Sequence, residues 1–270
     1  MKKTMFIVII CIVAFLVLLP FLWMVSTSLK SLTEVNNYPP EWFSRDMSIR
    51  PYIDMFFYMP FGTYTLNSLI VASASTVIAL VVGSLAAFAF SRFLFPGKRV
   101  FLLVFLLSQM LPGASVIIPL FQFLNAVGLY DTHAGLILVH SAVLLPFVIW
   151  LLYGFFQGIP REVEDAALID GCSRMMALRR VILPLALPGI GATALFAFLG
   201  SWNEFFFALI LTSSDATKTI PVGIGLFVGE YLDIWNQMAA SAVLFSVPPL
   251  LLFALMRKTF VKGLLSGGIK

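Results

Sequence analysis

The acidic side chains that could do chemistry fall in two places. Glu162, Glu164 and Asp165 lie in PREVEDAALIDGCSRMMALRRVILPLALP, residues 160–188, the one charged stretch in an otherwise apolar chain. Glu204 stands by itself in an apolar run, directly after Trp202 and Asn203. An unpaired carboxylate inside a bilayer costs at least ~2.5 kcal/mol on insertion scales, so Glu204 requires a partner or water. A gate or cavity role and a structural hydrogen-bonded role both meet that requirement. Acids and histidines nowhere gather at the depth and spacing that catalysis needs. His133 and His140 are too few for a metal site and read as solvated or packed side chains. No GxxxxGK[ST] segment occurs, so no P-loop for ATP is offered and the chain is not expected to be an enzyme itself.

The elements that must position these residues are membrane helices. Of 270 residues, 60% are hydrophobic and 11% charged, far too apolar for a soluble domain of this length. Uncharged or nearly uncharged runs cover 4–29, 55–91, 100–130, 132–160, 181–203 and 234–256. Each reaches the ~20 residues that cross a bilayer as a helix. They lack the polar alternation of barrel strands, and lipid forbids unpaired backbone. The expected fold is therefore all-α and polytopic, a single membrane domain of six transmembrane helices over 1–270. The third helix, about 101–124, contains Pro112, Gly113 and Pro119 together with Gln109, the pattern of a bent, pore-lining helix. The second carries Ser73, Ala74, Ser75, Gly83, Ser84, Ala86 and Ala87, which permit close helix approach.

Orientation follows from the basic residues. Alternating spans place Lys2, Lys3, Arg92, Lys98, Arg99, Arg161, Arg174, Arg179, Arg180, Arg257, Lys258, Lys262 and Lys270 on one side, 13 of the 17 basic residues. Positive charge accumulates in cytoplasmic loops, so both termini are expected in the cytoplasm. The net charge of +4 is then a consequence of topology. No basic stripe marks a nucleic-acid surface. Met1 begins a basic then apolar segment without a small-x-small cleavage site, read as an uncleaved first helix. Cys11, inside that helix, and Cys172, in a cytoplasmic loop, cannot meet in a disulfide. An external segment, 31–63, is rich in proline and interfacial aromatics. A second external loop, 212–237, contains Gly223, Gly225 and Gly229 and has the composition of a binding loop, with a re-entrant or interfacial plug as the alternative.

The cytoplasmic loop 158–184 has its own physics. Pro160 suits a helix start, and Glu162, Glu164 and Asp165 suit the opening turns, where the helix dipole favours negative charge. Gly171 can take the left-handed conformation that ends this helix, and Ser173 can cap a second short one. Ala166 and Ala167 keep one side flat. Leu168, Ile169, Met175, Met176 and Leu178 supply apolar contacts inside a charged rim. Physics alone leaves open whether this surface binds a protein or rests on lipid.

The spacing is similar to the EAA loop of binding-protein-dependent ABC importer permeases, in which Glu-Ala-Ala, three residues, Gly, nine residues and Ile-x-Leu-Pro contact the ATPase. Asp165, Ala166, Ala167, Gly171, Val181, Leu183 and Pro184 match it, with aspartate in place of the motif glutamate and valine in place of isoleucine. The flanking IPREVEDAALIDG, WNEF at 202–205 and the closing GLLSGGIK resemble the smaller permease of the carbohydrate-uptake, maltose-type importers over essentially the whole chain.

That resemblance implies an ABC type I importer permease fold, with the ATPase contacted through Glu164, Asp165, Ala166, Ala167, Leu168, Gly171, Met175 and Met176. Which of Glu164 and Asp165 makes the main contact is open. It further implies a translocation path near Gln109, Trp202, Asn203 and Glu204, and a loop reaching the binding protein through Gly223, Gly225 and Gly229. The implied partners are a second related permease in a heterodimer, two copies of an ABC ATPase, an extracytoplasmic solute-binding protein, a sugar substrate and the inner membrane of a bacterial or archaeal cell. The chain would hold no cofactor, ATP and magnesium binding to the ATPase. A stand-alone ion-driven secondary transporter is the competing class, but such proteins carry several mid-membrane charges and internal repeats.

Overall fold

In a computed structural model, which describes residues 2–43, 46–227 and 234–268, the regular elements are all helices. α1 (Lys2–Ser28) precedes two short helices, α2 (Leu32–Val35) and α3 (Arg50–Tyr58). Then come α4 (Phe61–Arg92), α5 (Lys98–Ser108), α6 (Gly113–Ala126) and α7 (His133–Gln157). The charged loop holds α8 (Arg161–Ile169) and α9 (Arg174–Ala177), a π-helical turn (Leu178–Ile182) and the single turn α10 (Leu183–Leu185). The chain closes with α11 (Leu187–Trp202), α12 (Phe206–Leu211), α13 (Ile220–Gly225) and α14 (Trp235–Gly268).

Among the described residues four helices, α1, α4, α7 and α14, are long and apolar enough to cross a membrane. Two further spans are bent pairs: α5 and α6 meet at 94°, and the 174–185 segment meets α11 at 80°. Counting each pair once gives six. Proline stands at both bends and offers no N–H to the preceding turn, which removes a helical hydrogen bond there. Pro112 stands in extended conformation just ahead of α6, and Pro184 and Pro188 flank the Ala186 joint. Pro119, expected to help break the third helix, lies inside α6 without ending it. The break expected at Pro112 and Gly113 divides the 101–124 segment into two helices. The run beyond residue 185 is also interrupted: α11 ends at Trp202 and α12 begins at Phe206, which puts Glu204 in a break rather than inside a span.

The residues form two compact units. In the first, 1–65 with 220–248, the loop after α1 is tied down by Ser28 Oγ to Tyr52 OH at 2.7 Å, the Ser48 N–H to the Leu29 carbonyl at 2.9 Å, and the Asn236 amide to the Lys30 carbonyl at 3.1 Å. Trp23 and Trp42 pack edge to face with centroids 4.7 Å apart. α1 leaves its apolar side chains exposed along most of its length.

In the second unit, 66–219 with 249–270, one core joins Phe88 of α4, Val148, Leu152 and Phe156 of α7, Leu178 and Ile182 of the π-helical turn, and Ala197 of α11. Another joins Ile117 and Leu124 of α6, Val139 of α7, and Phe207 and Leu211 of α12. Of the small residues on α4, Ser75, Gly83, Ser84 and Ala87 are buried. A Cβ on Gly83 would stand 2.6 Å from Val148 Cγ1, and one on Gly189 would stand 2.4 Å from the Phe155 ring. These glycines set how closely α4 and α11 approach α7.

Candidate functional site: the 158–184 loop and its surroundings

The loop folds as a helix, a turn and a helix for the reasons its sequence gives. Glu162 and Glu164 occupy the first turn of α8, where they complement the helix dipole. Gly171 adopts φ +86°, and the Cys172 N–H returns to the Ala167 carbonyl at 3.0 Å, closing the helix end. The Ser173 hydroxyl accepts from the Met176 N–H at 3.3 Å and starts α9. The chain then enters the π-helical turn, where Leu178 and Ile182 are fully buried and anchor the loop in the core. Leu178 therefore belongs to the interior, not to the outward apolar surface expected from its spacing.

The two faces of the motif differ sharply. Asp165, Ala166, Gly171, Met175 and Met176 are exposed, Leu168 is half-buried, and Ile169 stands 86% exposed. Glu164, at 4%, and Ala167 are buried. Glu164 therefore points inward: its Oε2 lies 2.9 Å from Arg92 Nε, an ion pair in which both side chains are almost fully buried. A second guanidinium nitrogen, Nη2 of Arg92, donates to the Ile159 carbonyl at 3.1 Å. Glu164 Oε1 faces Arg174 Nη1 at 4.0 Å, and the Arg174 guanidinium stands 5.0 Å over the Phe93 ring. Of the two carboxylates between which the spacing could not choose, Asp165 is the one available to a partner. Sequence reasoning missed Arg92 and Arg174. The available signal was a lone arginine closing an apolar span, Arg92, whose charge needs an acid nearby.

Glu204 has the partner its burial demands. It sits in the break after α11, and its two carboxylate oxygens accept from the Phe207 N–H at 2.9 Å and the Ala208 N–H at 3.0 Å, capping α12. Oε2 also lies 3.2 Å from Nε2 of the buried His140 on α7, whose Nδ1 is 2.7 Å from Ser201 Oγ on α11. A carboxylate only accepts, so Nε2 carries a proton, and in the neutral ring Nδ1 accepts from Ser201. The node ties α7, α11 and α12 together, which gives His140 a role its sequence spacing did not reveal. Of the other expected path residues, Asn203 is exposed, and Gln109, also exposed, donates to the Val143 carbonyl at 3.1 Å. Trp202 is only 1% exposed and stacks on Phe198 with centroids 5.6 Å apart, so within this chain it is a packed core residue.

Residues 79–265, which include α8, the Arg92–Glu164 pair and the Glu204 node, match the model of the family described as "Binding-protein-dependent transport system inner membrane component". The chain belongs to this family. The trehalose transport system permease protein SugB of Mycobacterium tuberculosis is 37% identical over 255 residues, 94% of this permease and 92% of that protein. The trehalose/maltose transport system permease protein MalG of Thermococcus litoralis is 33% identical over 273 residues, covering 100% and 98%. The sulfoquinovosyl glycerol transport system permease protein SmoH of Agrobacterium fabrum is 34% identical over 253 residues, covering 94% and 89%. Among solved structures, a chain of a bacterial ABC transporter involved in the import of the acidic polysaccharide alginate shares the fold, with TM-score 0.78 at 22% identity and 96% coverage of both chains.

The permease's 212–237 loop is anchored where it begins. The Asp131 carboxylate, in a turn where Asp131 itself takes φ +54°, accepts from the Ser213 N–H at 2.9 Å, the Ser214 N–H at 3.2 Å and the Thr217 hydroxyl. The Asn67 amide donates to the carbonyls of Ala216 and Lys218 at 3.0 and 2.9 Å, and His133 Nε2 lies 2.9 Å from Asn67 Oδ1. Partial burial opposes ionisation of Asp131, but the hydroxyl and backbone donors outweigh it and hold the carboxyl well below the usual range. Farther on, α13 is packed inward instead of extended. Gly223 is buried so closely that a Cβ would meet Tyr64 Cδ2 at 2.3 Å, and Gly225 is half-buried. Gly223 is thus a packing residue rather than a contact offered to a binding protein, and Gly229 lies outside the described residues.

Proposed function

We propose that this permease is one half of the membrane channel of a carbohydrate importer driven by a separate ATPase, and that the 161–177 helix-turn-helix is the surface on which the ATPase sits. The observation that carries the proposal is the two-faced loop. Its inner side is locked into the core through Glu164, Leu178 and Ile182, while Asp165, Ile169, Met175 and Met176 face outward. Exposed apolar side chains inside a charged rim suit a protein groove, and methionine adapts to a surface that moves. Asp165 supplies the carboxylate for a basic side chain of the ATPase. The permeases for trehalose, maltose and sulfoquinovosyl glycerol among the relatives support a sugar or oligosaccharide as cargo.

The basic residues that flank the spans support a cytoplasmic side for the loop and both termini. The partners are a second, related permease, two copies of the ATPase, and an extracytoplasmic binding protein that delivers the sugar. ATP and magnesium bind to the ATPase. Its closure would displace the loop and rock the helices between inward-open and outward-open arrangements, a population shift set by nucleotide and loaded binding protein. Gln109, Asn203 and Glu204, polar groups at or beside the helix breaks, are the candidates to line the path. The test is to tag the permease in its host, extract it in mild detergent and identify what co-purifies, with Gly171→Pro as the loop variant. A P-loop ATPase and a second six-helix permease should come down with the wild type, and the ATPase should be lost from the variant. Recovery of the chain alone would contradict the reading.

A further inference from the structure

Two kinds of contact hold the 158–184 loop to the rest of its unit, and they respond differently to force. Leu178 and Ile182 of the π-helical turn are held by apolar packing with α4, α7 and α11. Such packing is non-directional, and each of its contacts is individually weak. The N-terminal half of the loop, where Ile159 and the buried Ala167 also pack inward, is held in addition by one guanidinium. Arg92, the last residue of the 32-residue α4, pairs with Glu164 on the first turn of α8 at 2.9 Å and binds the Ile159 carbonyl, just ahead of α8, at 3.1 Å. Both side chains of the pair are almost fully buried. Displacing α8 from Arg92 would therefore strand two buried charges, a penalty far larger than that of shifting a methyl contact. Arg174 of α9 braces the other carboxylate oxygen at 4.0 Å while resting on Phe93, the residue after Arg92. Arg92 and Arg174 thus face the two oxygens of one carboxylate, and the Arg92 contact is the close one.

We infer that Arg92 is a positioning residue for energy coupling: its buried pair with Glu164 forces α4 to move whenever the docked ATPase moves α8. This rests on the importer reading above and adds to it the element that receives the movement. Glu164 then acts by transmission and not by touching the ATPase, in agreement with its burial beside the exposed Asp165.

The test uses the full complex in proteoliposomes with loaded binding protein, reading sugar uptake and ATP hydrolysis together. Replacing a buried ion pair by apolar residues of similar size often preserves stability, whereas removing one partner does not. The informative variant is therefore the double Arg92→Met/Glu164→Leu. It should retain the ATPase, lose sugar uptake, and hydrolyse ATP without responding to loaded binding protein. Arg92→Lys, which keeps the charge, should restore both the response and uptake. Wild-type uptake per ATP in the double variant would overturn the inference, making the pair only structural. Loss of the ATPase from the double variant would overturn it as well, assigning the pair to docking. Failure of the wild-type chain to bring down an ATPase at all would instead defeat the importer reading itself.

Discussion

Glu204 shows how one side chain can serve two structural needs. It caps α12 and faces a buried imidazole at 3.2 Å, so Glu204→Ala removes a helix cap, about 0.5–2 kcal/mol, together with the carboxylate beside His140 Nε2. The melting temperature of the purified complex should drop clearly for Glu204→Ala and less for Glu204→Gln, which keeps a carbonyl acceptor. Equal stability of Glu204→Ala and wild type would contradict the node. Asp131 carries a pH prediction. Its folded-state pKa lies below its ordinary value near 3.8, so the clasp contributes stability that is fully present above that value. The contribution begins to be lost as pH falls below about 3.8 and is gone only below the lowered folded value. Proteolytic nicking of the 212–219 segment should stay flat from about pH 8 to about pH 5 and rise only in strong acid, while Asp131→Asn should be nicked at neutral pH. The need for a Glu204 partner was legible in the sequence, since an intramembrane acid demands one. Its identity was not, because His140, like Arg92, is brought to its acid by helix packing that no short-range spacing encodes.

At the scale of elements, the helices themselves were legible because length, apolarity and the absence of alternating polar residues leave few choices in a bilayer. The break of the 101–124 segment was legible from Pro112 and Gly113, whereas the π-helical turn and the interruption between α11 and α12 were not. Proline marks where a helix can bend, but does not by itself tell that Pro112 stands ahead of a new helix while Pro119 is accommodated inside it. The loop motif was read closely, because Gly171 and Ser173 act through their own backbone and hydroxyl. The glycines make a sharp comparison between elements. Gly189→Ala gains roughly 1 kcal/mol of helix propensity but drives a methyl into the Phe155 ring, and overpacking costs about 1–3 kcal/mol, so the complex should be less stable. Gly154→Ala on α7 meets nothing within 4 Å and should be neutral or stabilising. Thermal unfolding of the two variants should therefore move in opposite directions, and a matching decrease in both would contradict the packing described.

For the whole molecule, fold and family were readable from composition and one loop, whereas the separation of that loop into an inner and an outer face required the structure. Ile169, 86% exposed at the outward edge of α8, is the most direct point of attack on that outer face. Ile169→Asp should leave folding intact and strip the ATPase from the complex, read by co-purification. An ATPase retained at wild-type level would remove Ile169 from the docking surface. The central claim is that transport is driven by ATP hydrolysed on another chain and passed through this loop. Its most direct test is uptake of labelled sugar into proteoliposomes containing the purified complex and loaded binding protein, with ATP enclosed or omitted and with ion gradients collapsed. Uptake that requires enclosed ATP and survives collapse of the gradients is the predicted result. Uptake without ATP that disappears with the gradient would contradict the account and make the protein a secondary carrier.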